Sequence, residues 1–252
     1  MWALFRALFA PPRDLILLLL AGWLGLALAD WRARSGEVGE KSLDTLVFSM
    51  LAAYLAAGRL AFLAAHMSAF LSSPSSAVSL SPAAFDLGAG LLGAGLAGVA
   101  VIQRKRLPAW QALDLLAPLF ACLAVGLALS DLASGAAFGS KTQLPWAIQL
   151  WGARRHPTQV YELLAALAVL AVIWFWRPPL RAGSRFLLWI ALAAASRLFI
   201  EGFRGDSILV LGGLRLAQVV AWLALAGALA ALELRQSGPK DSPGLPGKLP
   251  PS

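Results

Sequence analysis

The feature that most constrains this chain is a series of long apolar stretches, each near the length needed to cross a bilayer. A spanning helix needs about 20 mostly apolar residues. Seven candidate spans cover residues 15–31, 44–66, 83–103, 109–131, 158–176, 184–203 and 215–234. Composition agrees, because 59% of the residues are hydrophobic and only 13% are charged, with a mean hydropathy of +0.73. We predict an all-α polytopic membrane protein with about seven transmembrane helices.

The same composition excludes several classes of protein. A water-soluble enzyme and a disordered chain both need far more charged and polar residues than this sequence has. The single cysteine, Cys122, excludes a disulfide framework. One cysteine and two histidines are too few for a zinc cage built from those residue types. We therefore expect no metal and no cofactor.

The net charge of +8 is explained by membrane topology. With seven spans, one side of the membrane receives twelve basic residues and the other receives seven. The twelve are Arg32, Arg34, Lys41, Arg104, Lys105, Arg106, Arg177, Arg181, Arg185, Arg235, Lys240 and Lys248, and the seven are Arg6, Arg13, Lys141, Arg154, Arg155, Arg204 and Arg215. The positive-inside rule then predicts an outside N-terminus and a cytoplasmic C-terminus. This explanation is favoured over nucleic-acid binding, so no nucleic-acid partner is expected.

The N-terminal segment allows a second interpretation. Arg6 and Arg13 precede an apolar run, 15–29, that ends in Ala27-Leu28-Ala29, a pattern that also resembles a cleaved signal peptide. Cleavage would leave six spans, whereas the retained helix gives the better charge asymmetry. We expect residues 1–235 to form a single transmembrane domain. Residues 236–252, rich in Pro, Gly, Ser and Lys, are expected to form a disordered cytoplasmic tail.

Two segments differ from an ordinary spanning helix. The third span is rich in glycine, and small residues let neighbouring helix backbones approach closely. Residues 132–153, between the fourth and fifth helices, are too polar to cross the membrane and too apolar for a free loop. They contain Trp146 and Trp151, and tryptophan is enriched at the depth of the lipid head groups. We predict an arm that lies in the outer interface.

Ionisable side chains inside spans are costly, about 2.5–3.5 kcal/mol at a helix centre, and they indicate function or pairing. Arg197, Glu201 and Arg204 are related by i+4 and i+3, so they fall within about 60° of one helix face. Glu201 can hold both guanidinium groups, which leaves a surplus of positive charge. The pattern fits a site for an anionic lipid head group, because arginine matches phosphate oxygens, and equally a structural ion-pair triad.

A second polar cluster covers residues 155–162. Pro157 suits the first turn of a helix, which places His156 at or just before the helix start, near the membrane surface. Gln159 and Glu162 are three residues apart and share a face. A histidine at a wet interface can exchange protons near neutral pH, although a lone histidine is more often structural.

These stretches resemble the prolipoprotein diacylglyceryl transferase family. The sequence Arg155-His156-Pro157-Thr158-Gln159-Val160-Tyr161-Glu162 is similar to the family's His-Pro-Ser/Thr-Gln-Leu-Tyr-Glu block. The run from Arg197 to Arg204 is similar to its Arg-Phe-…-Glu-…-Arg block. Weaker matches, in the family's order, are Gly58-Arg59-Leu60, residues 113–118, Leu144-Pro145-Trp146 and Gln218.

The chain departs from the family pattern at five polar positions in an ungapped register. Alanine stands at three of them, glycine at one and aspartate at one. Ala128 replaces the family's signature Arg, Asp131 its Asn, Ala136 its Glu, Gly88 the His of the glycine-rich helix, and Ala193 a Tyr.

The resemblance implies transfer of a diacylglyceryl group from phosphatidylglycerol to a lipoprotein-precursor cysteine thiol, in the bacterial cytoplasmic (inner) membrane. The expected partners are phosphatidylglycerol, the precursor's signal peptide and the bilayer. His156 is the expected base with Glu162 in reserve, and the other expected catalytic residues are Arg197 and Glu201. The expected head-group ligands are Arg197, Arg204, Gln159, Tyr161, Glu162 and Arg155.

Two other functions stay open at this point. A catalytically degenerate relative would bind anionic phospholipid or lipoprotein signal segments without transferring a group. A small-solute transporter could use a polar track along Arg59, Asp114 and Arg197, but the sequence has no internal repeat of the kind typical of alternating access.

Overall fold

The computed structural model of the chain describes residues 13–34, 38–68, 85–175, 181–210 and 212–237. The long helices in these ranges are α1 (Arg13–Ala33), α2 (Glu40–Ala65), α3 (Leu87–Arg104), α4 (Ala109–Ser134), α5 (Thr158–Phe175), α6 (Ser184–Ile200) and α7 (Leu216–Ser237). Within these described ranges, seven helices are long and apolar enough to cross a membrane, which confirms the predicted multi-pass, all-α membrane protein. Arg6 and the tail beyond Ser237, both used in the sequence predictions, lie outside the described residues. Helix α7 includes Gln236 and Ser237, which had been assigned to the tail.

The chain divides into two compact units, one of residues Leu26–Leu119 and the other of Met1–Gly25 with Phe120–Ser252. In the Leu26–Leu119 unit, α2 packs closely along α3 because α3 presents glycines to it. A Cβ atom on Gly93 would lie 2.6 Å from Ala57 Cβ and 2.9 Å from the Ala53 carbonyl oxygen. The close approach expected from the glycine-rich sequence is therefore present, and a larger residue at position 93 would force the helices apart.

Two ionisable residues of this unit serve local structure. Asp86 lies just before α3 rather than inside it, and its Oδ1 accepts a hydrogen bond from the Ala89 amide at 2.7 Å, which caps the helix. The Arg59 guanidinium lies 5.6 Å from the centre of the Phe85 ring, a cation–π distance. Both contacts have a structural explanation that needs no ligand.

In the other unit, α6 packs against α5 on one side and α7 on the other. Short antiparallel strand pairs accompany the helices: β1 (Ile148–Leu150) with β2 (Ala153–Arg155), and β3 (Leu209–Val210) with β4 (Leu214–Arg215). The first pair begins in the segment predicted as an interfacial arm, residues 132–153, and ends two residues beyond it at Arg155. We call residues 135–157 the arm. Backbone bridges join Gly139 of the arm to Arg204 and Lys141 to Arg155, so the arm is built against the chain that follows α6.

Candidate functional site

The start of α5 is tied to the arm by buried side chains. Pro157 lacks an amide hydrogen and precedes the helix, and its carbonyl accepts hydrogen bonds from the Val160 and Tyr161 amides. The Thr158 hydroxyl donates to the Ala137 carbonyl at 2.6 Å, and Gln159 Nε2 donates to the Ala136 carbonyl at 2.7 Å. Thr158 and Gln159 are both fully buried. These bonds determine where the residues just before the helix lie.

We expect Thr158→Val to destabilise this junction. The substitution keeps the shape but removes the donor, so the buried Ala137 carbonyl loses its partner, a cost of about 1–3 kcal/mol. Thermal unfolding and amide exchange of residues 136–156 measure the effect. Thr142→Val is the matched control in the same arm, because its hydroxyl accepts only a 3.4 Å bond from Leu144. Equal loss of stability in both variants would contradict the assignment.

The Arg155 side chain also bonds to the arm. Its Nε donates to the Leu150 carbonyl at 3.1 Å and one terminal nitrogen donates to the Gly139 carbonyl at 3.2 Å. The guanidinium lies 4.8 Å from the centre of the Phe138 ring. Trp146 Nε1 donates to the Tyr161 hydroxyl at 2.8 Å, so Tyr161 joins the arm to α5.

The Arg197–Glu201–Arg204 series forms an ion-paired cluster at the end of α6. The helix ends at Ile200, Glu201–Phe203 form one 3-10 turn, and Arg204 is extended. Arg204 is therefore not on the continuous α-helical face that its spacing predicted. The tighter turn still brings its Nε 3.8 Å from Glu201 Oε2, while Arg197 Nη2 lies 3.0 Å from the same oxygen. The predicted contact of Glu201 with both arginines is present.

Two further carboxylates complete this cluster. Glu162 Oε1 on α5 lies 3.1 Å from Arg197 Nη1 and 2.8 Å from Arg204 Nη1. Asp206 pairs with Arg204 through two hydrogen bonds of 2.9 and 2.7 Å. Two arginines are thus paired with three carboxylates, so the predicted surplus of positive charge at this cluster is wrong. The spacing within α6 could not show carboxylates supplied by α5 and the following loop.

Arg215 fixes the backbone of the cluster. One terminal nitrogen of its guanidinium donates to the carbonyls of Glu201 and Arg204 and to the Ser207 hydroxyl. Partial burial lowers the pKa of Arg204, but the hydrogen bond to Asp206 and the charge of Glu162 outweigh this, so the pKa lies above the ordinary arginine value. Arg204 therefore stays charged at every physiological pH.

His156 lies within a group of aromatic rings that includes Phe203, the residue before Arg204. Its ring centre is 5.2 Å from that of Phe203 and 6.3 Å from that of Tyr161. His156 Nδ1 is buried and has no hydrogen-bond partner among the described residues. The backbone holds the ring in place, because the His156 amide donates to Ser140 and its carbonyl accepts from Thr158.

Two cavities meet at Arg197. The larger, about 600 Å³, lies between α6 and α7, with Arg197, Glu201, Arg204 and Asp206 among its lining residues. The remaining lining is mostly small or apolar, including Trp189, Ala193, Val220 and Ala224. The smaller, about 150 Å³, lies between α4, α5 and α6 and has Glu162 and Arg197 in its wall. An amphipathic ligand fits the larger cavity, because that cavity has both charged residues and an apolar lining.

Comparison with known proteins decides the family. The family model described as prolipoprotein diacylglyceryl transferase matches residues 16–233 of the sequence. The chain belongs to the prolipoprotein diacylglyceryl transferase family. Among its relatives, the phosphatidylglycerol–prolipoprotein diacylglyceryl transferase of Nostoc sp. is 30% identical over 237 residues, covering 86% of this chain and 82% of the relative. The protein of the same name from Trichormus variabilis is 31% identical, with 90% of each chain covered.

In this family member the structure gathers part of the predicted site. Arg197, Glu201, Arg204 and Glu162 form one cluster, and His156 and Tyr161 lie around Phe203. Arg155 and Gln159 point their donor groups at arm carbonyls instead. Gln159 Oε1 is buried and has no hydrogen-bond partner in the described ranges.

Three further residues of the cluster were not among the predicted site residues. Asp206 pairs with Arg204, Arg215 binds two of its carbonyls, and Asp131 near the end of α4 is close enough to interact electrostatically with Glu162 and both cluster arginines. Asp131 carried a signal in the sequence, since it stands where the family resemblance places an asparagine. Asp206 carried a weaker one, as an acidic residue two positions after Arg204.

Proposed function

We propose that the chain transfers the diacylglyceryl group of phosphatidylglycerol to the thiol of a cysteine in a lipoprotein precursor. The observation that carries the proposal is the placement of Arg197 and Arg204 in the wall of the apolar α6–α7 cavity. A phospholipid needs such a combination of arginines that can bind its phosphate and an apolar groove. The names of the relatives point to the same donor lipid and acceptor.

The donor's head group would lie at the cluster. Arginine presents a planar fork that matches two phosphate oxygens, and Arg197 is the more accessible cation, with 40% of its side chain exposed. Arg204 is 12% exposed. The diacylglyceryl part would follow the apolar wall between α6 and α7.

His156 is the proposed base for the acceptor thiol. The thiolate is the nucleophile, so the thiol proton must first pass to a base. Glu162 is poorly suited to this role, because one of its oxygens already pairs with both arginines. The thiolate sulfur attacks the glyceryl carbon that carries the phosphate ester, a carbon–sulfur bond forms, and the carbon–oxygen bond breaks. Glycerol phosphate leaves, and the arginines stabilise the charge on its phosphate.

We propose that the reaction takes place at the outer face of the bacterial cytoplasmic membrane. The basic-residue distribution supports an outside N-terminus and a cytoplasmic C-terminus. That orientation puts the start of α5 and the end of α6 on the outer side. The signal peptide of the precursor would approach there from the lipid, since it is itself apolar.

A second candidate, a lipid-binding relative without transferase activity, is favoured by one observation. Alanine stands at positions 128, 136 and 193, where the family resemblance places polar residues. Such a protein would bind phosphatidylglycerol and leave the precursor unmodified.

Complementation separates these functions. We expect the chain to restore growth and lipoprotein modification in a bacterial strain depleted of its own transferase, with mass spectrometry detecting the added diacylglyceryl group. A variant with both Arg197→Ala and Arg204→Ala is the negative control. Membrane-inserted protein that binds phosphatidylglycerol but leaves the precursor unmodified would support the non-catalytic relative and contradict transfer.

A further inference from the structure

The Asp206 carboxylate binds Arg204 in the same way that a phosphate group would. Arg204 Nε donates to Asp206 Oδ1 at 2.9 Å, and Arg204 Nη2 donates to Oδ2 at 2.7 Å. The carboxylate thus occupies one whole edge of the guanidinium with two parallel hydrogen bonds. A phosphodiester uses the same edge in the same two-oxygen manner. The third nitrogen, Nη1, is paired with Glu162.

Of the three carboxylates ion-paired to these arginines, Asp206 is the one that can move with the least disruption. Its side chain is 25% exposed, against 15% for Glu162 and 2% for Glu201. Glu162 joins α5 to the end of α6, so moving its carboxylate away would break a contact between two helices. The Asp206 pair is local, because its partner is only two residues away, and exposed local pairs contribute little to stability.

The backbone around Arg204 is fixed, so only the Asp206 side chain needs to move. Arg215 donates to the Arg204 carbonyl, and the Gly205 amide donates to the Phe138 carbonyl at 2.9 Å. A Cβ atom at position 205 would lie 2.8 Å from the Gly139 carbonyl oxygen, so glycine allows this close approach of loop and arm. A rotation of Asp206 toward water would uncover the Arg204 edge without moving the guanidinium.

Charge balance favours such a displacement. Arg197 and Arg204 are ion-paired with Glu162, Glu201 and Asp206, and Arg215 brings a third positive charge to the cluster. Three arginines thus balance three carboxylates before a ligand binds. A phosphodiester would add one negative charge, and rotation of Asp206 toward water offsets it.

We propose that Asp206 is a displaceable carboxylate that holds the phosphate-binding edge of Arg204 until the phosphodiester of an anionic phospholipid replaces it. This rests on the donor site proposed above. Asp206 thereby sets the affinity for the lipid, since part of the binding free energy is used to break its pair with Arg204.

The test is Asp206→Asn, which keeps the size of the side chain and removes its charge. We expect its Kd for short-chain phosphatidylglycerol in detergent to fall about two- to fivefold, the scale of a partly exposed ion pair. Phosphatidylcholine serves as the neutral comparison lipid and glycerol phosphate as the free head group. Asp206→Ser should give the same shift, which guards against an effect specific to asparagine.

Glu233→Gln is the matched control, because it removes one exposed negative charge near the other end of α7. The Kd of Glu233→Gln for phosphatidylglycerol should not change. An unchanged or raised Kd in both Asp206 variants overturns the inference while leaving the donor site intact. If the Asp206 variants bind glycerol phosphate more tightly but phosphatidylglycerol no more tightly, the ligand is not the lipid. If the unaltered protein shows no preference for phosphatidylglycerol over phosphatidylcholine, the proposed donor site fails, and the inference fails with it.

Discussion

Replacing Arg197 with alanine is expected to lower kcat/KM for diacylglyceryl transfer by about 10²–10³, the usual effect of removing one donor that stabilises developing negative charge. Arg197 is suited to that role because it lines both cavities that meet at the cluster. It is also the more exposed of the two paired arginines, so a substrate can reach it. The measurement is steady-state transfer from phosphatidylglycerol to a precursor peptide, with purified protein.

The loss should come from chemistry rather than from unfolding. When Arg197 is removed, Glu162 still pairs with Arg204 at 2.8 Å, and Glu201 still faces Arg204 at 3.8 Å. No carboxylate of the described cluster is left without a cation, but Glu201 is 2% exposed and loses its closer partner, so thermal stability should also fall. Activity is therefore compared per amount of folded protein. Arg197→Lys keeps the charge and loses the planar fork, and its activity should lie between those of alanine and arginine. Full activity in Arg197→Ala would remove this residue from the mechanism.

Sequence spacing alone predicted the features that are determined by residues close together in the chain. The length and apolarity of each stretch were sufficient for the helices, because a bilayer allows few other structures. The spacing of Arg197, Glu201 and Arg204 was sufficient for their mutual contact, even though a 3-10 turn replaces the last turn of the helix. The position of Pro157 was sufficient to place His156 just before α5.

Contacts between distant parts of the chain were not predictable in this way. Glu162 meets Arg197 across 35 positions of sequence and Arg204 across 42, which depends on how α5 packs against α6. Gln159 was expected to face the substrate, whereas its amide nitrogen bonds to Ala136, 23 positions earlier. The arm decides that orientation, and its short strands carry no strong periodic signal in the sequence. The predicted surplus of positive charge was wrong for the same reason, since Glu162 and Asp206 lie outside α6.

The second large effect is expected from His156→Ala, which should reduce kcat by about 10²–10⁴ if the imidazole removes the thiol proton. Phosphatidylglycerol binding should be retained, because the proposed head-group ligands Arg197 and Arg204 are unchanged. The diagnostic result is therefore a loss in kcat with little change in lipid Kd, measured on the same preparation. Added imidazole should restore part of the rate, an effect that a purely structural histidine would not show.

His66 supplies the matched control, because it is the other histidine of the two in the sequence. It is exposed, at the end of α2, and its Nδ1 lies 3.0 Å from the Phe62 carbonyl oxygen. His66→Ala should leave the transfer rate unchanged. Full activity in His156→Ala would show that the imidazole is not the base. A parallel loss of lipid binding and thermal stability in His156→Ala would instead assign the ring to packing against Phe203 and Tyr161.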